Sequence, residues 1–172
     1  MTPQHIFLVG PMGAGKSTIG KHLADLLDLP FIDVDTEIES RAGADIQWIF
    51  DMEGEQGFRD RECKMLLELA ENGQSMVVAT GGGIVLRDEN RAVLQRSGTV
   101  IYLSATAEQL FERTRRDKSR PLLQVDDRRA VIAELVETRD PLYNQVADIV
   151  FPSGSMQPNK LAKKLAEALS AL

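Results

Sequence analysis

The sequence has 172 residues, 43% of them hydrophobic, and a formal net charge of −6. That length supports one ordinary core rather than two comfortable domains, and the acidic balance argues against a general nucleic-acid binder, which would be basic. Cys63 is the only cysteine, so an internal disulfide is excluded and a reducing, cytoplasmic setting is expected. No apolar run approaches the roughly 18 residues that a membrane-spanning helix needs. The first ten residues carry no basic region and enter a strand at once, so no signal peptide is expected.

Strand-like and helix-like segments alternate. His5–Val9 is an apolar run bounded by glycine, and Ile19, Leu23, Leu26 and Leu27 then recur at helical spacing between Gly15 and Leu27. Phe31–Asp33 reads as a second strand after Pro30. Glu37–Glu53, interrupted near Gly43, reads as two short helices, with Asp45 as N-cap of the second. Glu55–Glu71 reads as a longer helix that stops at Asn72-Gly73. Met76–Thr80 is a third strand, Asp88–Arg96 a helix and Thr99–Leu103 a fourth strand. Thr106 with Gln109 forms a candidate capping box. Asp127–Val146 is helical in pattern, with Pro141 marking a break or kink. Asp148–Phe151 is a fifth strand, and Leu161, Leu165, Leu169 and Leu172 stripe a closing helix. This alternation predicts an α/β fold: a five-stranded parallel sheet covered by helices on both faces, in one domain spanning residues 1–172. Ligands in such sheets bind beyond the carboxyl ends of the strands, so functional residues should follow strands directly.

Gly10-Pro11-Met12-Gly13-Ala14-Gly15-Lys16-Ser17 matches G-x-x-x-x-G-K-S/T between a strand and a helix. Glycines let the backbone wrap a phosphate, and amides of the loop and helix start point inward as donors. Lys16 supplies a cation for the β- and γ-phosphates, and the Ser17 hydroxyl suits Mg²⁺. The plain alternative, a glycine-rich turn beside a surface lysine, fits poorly with this strand–loop–helix context. A guanine-reading N-K-x-D motif is missing, because Asn159-Lys160 is followed by Leu161 and Ala162. The third strand ends in Gly81-Gly82-Gly83 rather than in the aspartate common to motor ATPases.

Asp33 and Asp35 flank Val34, and in an extended segment their carboxylates would point the same way. One could reach the metal and the other a substrate hydroxyl, or Asp35 could simply cap the next helix. Residues 113–120 carry five basic side chains in an acidic protein. They form either a solvated helix end, a lid whose arginines meet phosphates, or, least favoured without interleaved aromatics, a nucleic-acid patch. Arg59 and Arg139 can each offer a guanidinium fork to a carboxylate, with Glu62 one turn from Arg59 to hold it; the plain alternative is a surface ion pair of Arg59 with Glu62 and of Arg139 with Glu137 or Asp140. Trp48, Phe50 and Phe58 are expected in the core or the pocket wall. Cys63 is expected to pack rather than react.

Six segments together resemble shikimate kinases: Gly10–Thr18, Phe31–Asp35, Phe58–Glu62, Gly81–Gly83, Arg120–Leu123 and Arg139–Tyr143. The resemblance covers nearly the whole chain. It implies transfer of the γ-phosphoryl of ATP to the 3-hydroxyl of shikimate, with Mg²⁺, in the route to chorismate and the aromatic amino acids. It also implies a three-layer α/β/α P-loop kinase fold with sheet order 2-3-1-4-5, a substrate-binding region at about residues 34–62 and a lid at about 113–124. By the same resemblance Gly13, Ala14, Gly15, Lys16, Ser17, Thr18, Arg113, Arg120 and Gln157 bind ATP. Asp35, Arg59, Gly81, Gly82 and Arg139 hold shikimate. Lys16, Asp35 and Arg120 serve catalysis, and Ser17 with Asp33 faces the metal. The expected partners are ATP and shikimate, with no nucleic acid and no membrane, and a monomer is expected. A kinase for another polyol such as gluconate, a nucleoside monophosphate kinase and a non-catalytic nucleotide-binding regulator are the competing readings.

Overall fold

The computed structural model describes residues 4–115, 121–123, 126–154 and 156–172. Its strands are β1 (His5–Val9), β2 (Phe31–Asp33), β3 (Val77–Ala79), β4 (Gly98–Ser104) and β5 (Ile149–Pro152). They pair in parallel in the order β2-β3-β1-β4-β5, with Phe7 between Val78 and Val100. The helices are α1 (Lys16–Leu27), α2 (Val34–Ala42), α3 (Ile46–Ala70), α4 (Asp88–Ser97), α5 (Ala107–Thr114), α6 (Arg128–Val146) and α7 (Pro158–Ser170).

Because side chains alternate across a strand, β1 feeds two cores. Phe7 and Val9 face one cluster with Val78, Val100 and Tyr102, covered by Leu66 of α3, Leu94 of α4 and Tyr143 of α6. Leu8 faces the other with Ile101 and Leu103, covered by Leu23 of α1, Leu110 of α5 and Leu161 and Leu165 of α7. Burial on both sides explains why β1 and β4 read as unbroken apolar runs rather than alternating ones. The result is the expected three layers and the expected strand order.

Three expectations change. First, α2 begins at Val34 rather than near Glu37, because Asp33 is its N-cap: the carboxylate accepts from the Thr36 amide at 3.0 Å. Asp33 therefore closes β2, and Asp35 stands in the first turn of a helix. The argument from two extended residues pointing the same way does not hold, and the capping role falls to Asp33 rather than Asp35. Second, the two segments expected as separate helices on either side of residue 54 form α3, kinked where Gly54 takes φ 75° and ψ 173°. Its N-cap is Asp45, as expected, accepting from the Trp48 amide at 2.8 Å. Third, α6 continues through Pro141, with Arg139, Tyr143 and Val146 all buried on its inner side. The capping box of α5 is formed in both directions between Thr106 and Gln109.

Candidate functional site

The described candidate residues lie beyond the carboxyl edge of the sheet. After β1 the chain wraps through Gly13 (φ 88°) and Gly15 (φ 94°) into α1. These left-handed angles strain any residue with a Cβ, and a Cβ at Gly13 would also stand 2.7 Å from Thr114 Cγ2. Gly15 caps α1 without a side-chain bond, so the first amides of the helix face the loop as donors for an anion. Lys16 is buried; its Nζ donates to the carbonyls of Gly10 at 2.7 Å and Pro11 at 2.8 Å, which holds the ammonium across the loop. The Ser17 hydroxyl donates to Asp33 Oδ2, so the hydroxyl and the carboxylate expected to face a metal are in contact.

The loop opens into a cleft of about 1120 Å³, counting its mouth, lined by Lys16, Ser17, Thr18, Asp33, Asp35 and Arg113 among others. A narrower compartment of about 420 Å³ adjoins it, walled by Phe50, Phe58, Arg59, Glu62, Gly83, Pro121 and Arg139. Met12, Asp35, Ile46, Gly81 and Gly82 line both. Asp35 thus stands where the phosphate cleft meets the second compartment.

That compartment is built around buried charge. Arg59, Glu62 and Arg139 are 6%, 0% and 5% exposed, which sets aside the surface-ion-pair alternative for both arginines. Arg59 Nη1 donates to Glu62 Oε1 at 2.7 Å, and its Nη2 to Glu55 Oε1 at 3.3 Å. Its guanidinium carbon lies 5.3 Å from the Phe58 ring centre. Burial pushes the Glu62 carboxyl above its ordinary range and Asp35 adds to this, while Arg59 and Arg139 pull the other way. Among the described residues, Glu62 Oε2 and Arg59 Nε have no hydrogen-bond partner. Buried polar atoms are almost always satisfied, and these two belong to side chains that line the compartment.

The three glycines divide into different tasks. A Cβ at Gly81 would stand 2.8 Å from both Asp35 Oδ1 and Glu62 Oε2. A Cβ at Gly83 would fall on the Arg59 guanidinium. At Gly82 it would meet only ordinary contacts within the protein, Met12 N at 3.4 Å and Arg139 Nη1 at 3.5 Å, and would face the space between them. Gly83 was not among the expected site residues, and nothing short-range in the sequence signals that it seats a distant arginine. Tyr143 was likewise missed; its hydroxyl donates to the Gly82 carbonyl at 2.6 Å.

Arg113 donates to the Gly13 carbonyl and to Ser153 Oγ, each at 3.1 Å, and to the Gly154 carbonyl, tying the phosphate loop to the chain after β5. Between them lies a shallow recess lined by Gly13, Gly15, Thr18, Arg113, Met156 and Pro158. Gln157 is exposed and is not among its lining residues. Arg120 lies outside the described residues, as do 116–119 and 124–125 of the expected lid. Trp48, expected inside, is half exposed on the outer side of α3, whereas Phe50 and Phe58 wall the compartment as expected. No described helix is long and apolar enough to cross a membrane.

A family model described as shikimate kinase matches residues 12–170. Shikimate kinases from Histophilus somni and Mannheimia succiniciproducens are 52% identical over 170 residues and 54% identical over 167. The alignments cover 98% and 96% of this chain and 97% and 95% of the relatives. The structure of shikimate kinase from Acinetobacter baumannii in complex with shikimate superposes with a TM-score of 0.95 at 45% identity, covering 99% of this chain and 94% of that one. A gluconokinase from Sinorhizobium meliloti, at TM-score 0.58 and 18% identity, shares the fold alone.

Proposed function

The chain belongs to the shikimate kinase family, and we propose that it performs the family's reaction with Lys16 and the loop amides on ATP, Asp35 on the acceptor hydroxyl, and Arg59 and Arg139 on the acceptor's carboxylate. The reaction is transfer of the γ-phosphoryl of ATP to the 3-hydroxyl of shikimate, giving shikimate 3-phosphate and ADP. The observation that carries this division is the position of Asp35 on the shared wall of the two compartments. It meets the phosphate cleft on one side and a pocket containing two buried guanidinium groups on the other.

Phosphoryl transfer asks little covalent chemistry of the protein; positioning and electrostatics do the work. The amides of the loop and of the start of α1 hold the phosphates, and Lys16 moves its ammonium from two loop carbonyls to the transferred group. Asp35 orients the 3-hydroxyl and receives its proton as the oxygen–phosphorus bond forms. Arg120, by family resemblance, adds charge from the lid. Arg113, Gln157 and Thr18 complete the nucleotide side, and Gly81 and Gly82 present backbone to shikimate. Ser17 and Asp33 fit Mg²⁺, because a hydroxyl and a carboxylate meet at the mouth of the phosphate loop and hard oxygen donors are what this ion takes. Bound there with ATP, the ion would offset charge on the phosphate oxygens. The protein would act as a single domain and a monomer in the cytoplasm.

Two measurements test this division. An ADP-release assay across shikimate, gluconate and AMP should show turnover with shikimate, and Arg139→Ala should raise the shikimate KM about 100-fold with the ATP KM within about twofold. Equal rises in both constants would remove Arg139 from the acceptor site. Separately, Asp33→Asn should raise the Mg²⁺ concentration giving half-maximal rate by about tenfold or more, in a titration at fixed ATP. An unchanged requirement would take Asp33 away from the metal.

A further inference from the structure

Against the glycine turn stands a buried tyrosine that lines neither compartment and that the mechanism above does not use. Tyr143 is 1% exposed, and its hydroxyl donates to the Gly82 carbonyl at 2.6 Å across 61 positions of sequence. It lies one helical turn beyond Arg139 on α6, so one helix carries both an arginine of the acceptor pocket and the tether of the turn that faces it.

The consequence for the turn follows from peptide geometry. The Gly81 carbonyl accepts from the Ile84 amide at 3.1 Å, which fixes the peptide between Gly81 and Gly82. In a planar trans peptide the N–H points opposite the C=O, so this bond also sets where the Gly82 amide points. The next peptide, between Gly82 and Gly83, is fixed by Tyr143. The first bond therefore sets the Gly82 amide, and the second, from Tyr143, sets the Gly83 amide and keeps Gly83 in its place beneath the Arg59 guanidinium. Glycine has the widest backbone freedom of any residue, so a run of three needs such external anchors to present one surface.

Tyr143 is itself held. Its ring centre lies 4.9 Å from that of Tyr102, whose hydroxyl donates to Asp140 Oδ1 at 2.6 Å. Asn144 donates to the other oxygen of Asp140 at 3.1 Å. Burial pushes the Tyr143 phenol up to about 12, with Arg139 opposing, so it remains a donor throughout the neutral range.

We propose that Tyr143 is a positioning residue for the phosphoryl acceptor, locking the Gly82–Gly83 peptide so that Gly83 stays beneath the Arg59 guanidinium and Arg59 meets shikimate in register with Arg139. The proposal rests on the acceptor-site reading given above. Its test is steady-state kinetics of Tyr143→Phe beside Tyr102→Phe, which removes the neighbouring hydroxyl from the same ring pair but leaves the turn tethered. Loss of the tether should raise the shikimate KM about tenfold in Tyr143→Phe, with the ATP KM within about twofold. Tyr102→Phe should leave the ratio of the two constants where it was. Both KM values rising together, no change in the shikimate KM, or an equal effect of Tyr102→Phe would each overturn the role. Arg139→Ala in the same series separates the two failures: if it leaves the shikimate KM unchanged, the acceptor-site reading falls rather than the tether alone. A measurement independent of the variant's stability uses the fact that the chain has two tyrosines. Fluorotyrosine incorporated into Tyr102→Phe gives a single fluorine resonance at position 143. It should shift on adding shikimate and not on adding ADP, and the reverse pattern would overturn the proposal.

Discussion

Asp35→Asn should lower kcat by about 10²–10⁴-fold, the range for losing a positioned proton acceptor, while ATP binding measured by calorimetry stays close to that of the unaltered protein. The structure makes this a clean substitution. Asp33, not Asp35, caps α2, so an amide at position 35 removes no helix cap. Asn keeps the size of the side chain and can still accept a hydrogen bond from the 3-hydroxyl, but it cannot take the proton. The loss should therefore fall on kcat more than on the shikimate KM. Turnover surviving within about threefold would mean that the hydroxyl loses its proton elsewhere.

The second large effect is expected at Gly83. Its backbone angles, φ −93° and ψ 6°, are open to any residue, so an added methyl group brings no backbone strain. What it brings is a collision with the Arg59 guanidinium, the far end of a flexible side chain that can move aside. Gly83→Ala should therefore fold, with its thermal midpoint lowered modestly, while Arg59 leaves its seat. Displacing Arg59 separates it from Glu62, which is fully buried, and an uncompensated buried carboxylate is costly; Glu62 would take up a proton instead. The shikimate KM should rise about 100-fold, as for loss of a buried charge-assisted contact, with the ATP KM nearly constant. Gly82→Ala provides the contrast, since its methyl group meets only ordinary protein contacts. It should leave stability unchanged and act only through the space it takes from shikimate. A Gly83→Ala enzyme with unaltered kinetics would show that Arg59 works equally well from another position.

Local chemistry was legible in the sequence and long-range seating was not. The course of the loop could be read because its glycines, Lys16 and Ser17 stand within eight consecutive positions between a strand and a helix. The inner strands β1, β3 and β4 could be read because strands buried on both faces are largely apolar. Asp33 and Asp35 were singled out as candidates, but by an argument from extended geometry that the cap at Asp33 removes. A strong N-capping residue starts its helix wherever the buried positions allow, and Val34 with Ile38 supplied an inner face earlier than expected. Arg59 and Arg139 looked like surface residues by type, and only tertiary packing buries them. Gly83 and Tyr143 stand in segments that carry the family resemblance, but their contacts could not be read there, because the group each one meets comes from another part of the chain. Arg59 lies on α3 and Gly82 after β3.

The kink at Gly54 divides α3 into two lengths that serve different masters. The later length carries Arg59, Glu62, Met65 and Leu66 into the buried interior. The earlier one follows α2 and bears Trp48, half exposed, the only tryptophan in the chain. A protein with one indole emits from one address. Light absorbed at the red edge is emitted from the segment before Gly54, so a change in emission on adding shikimate would report on the surroundings of Trp48. The fold thus carries its own optical probe, placed beside the acceptor pocket but outside its wall, where no label has to be introduced and no catalytic group disturbed.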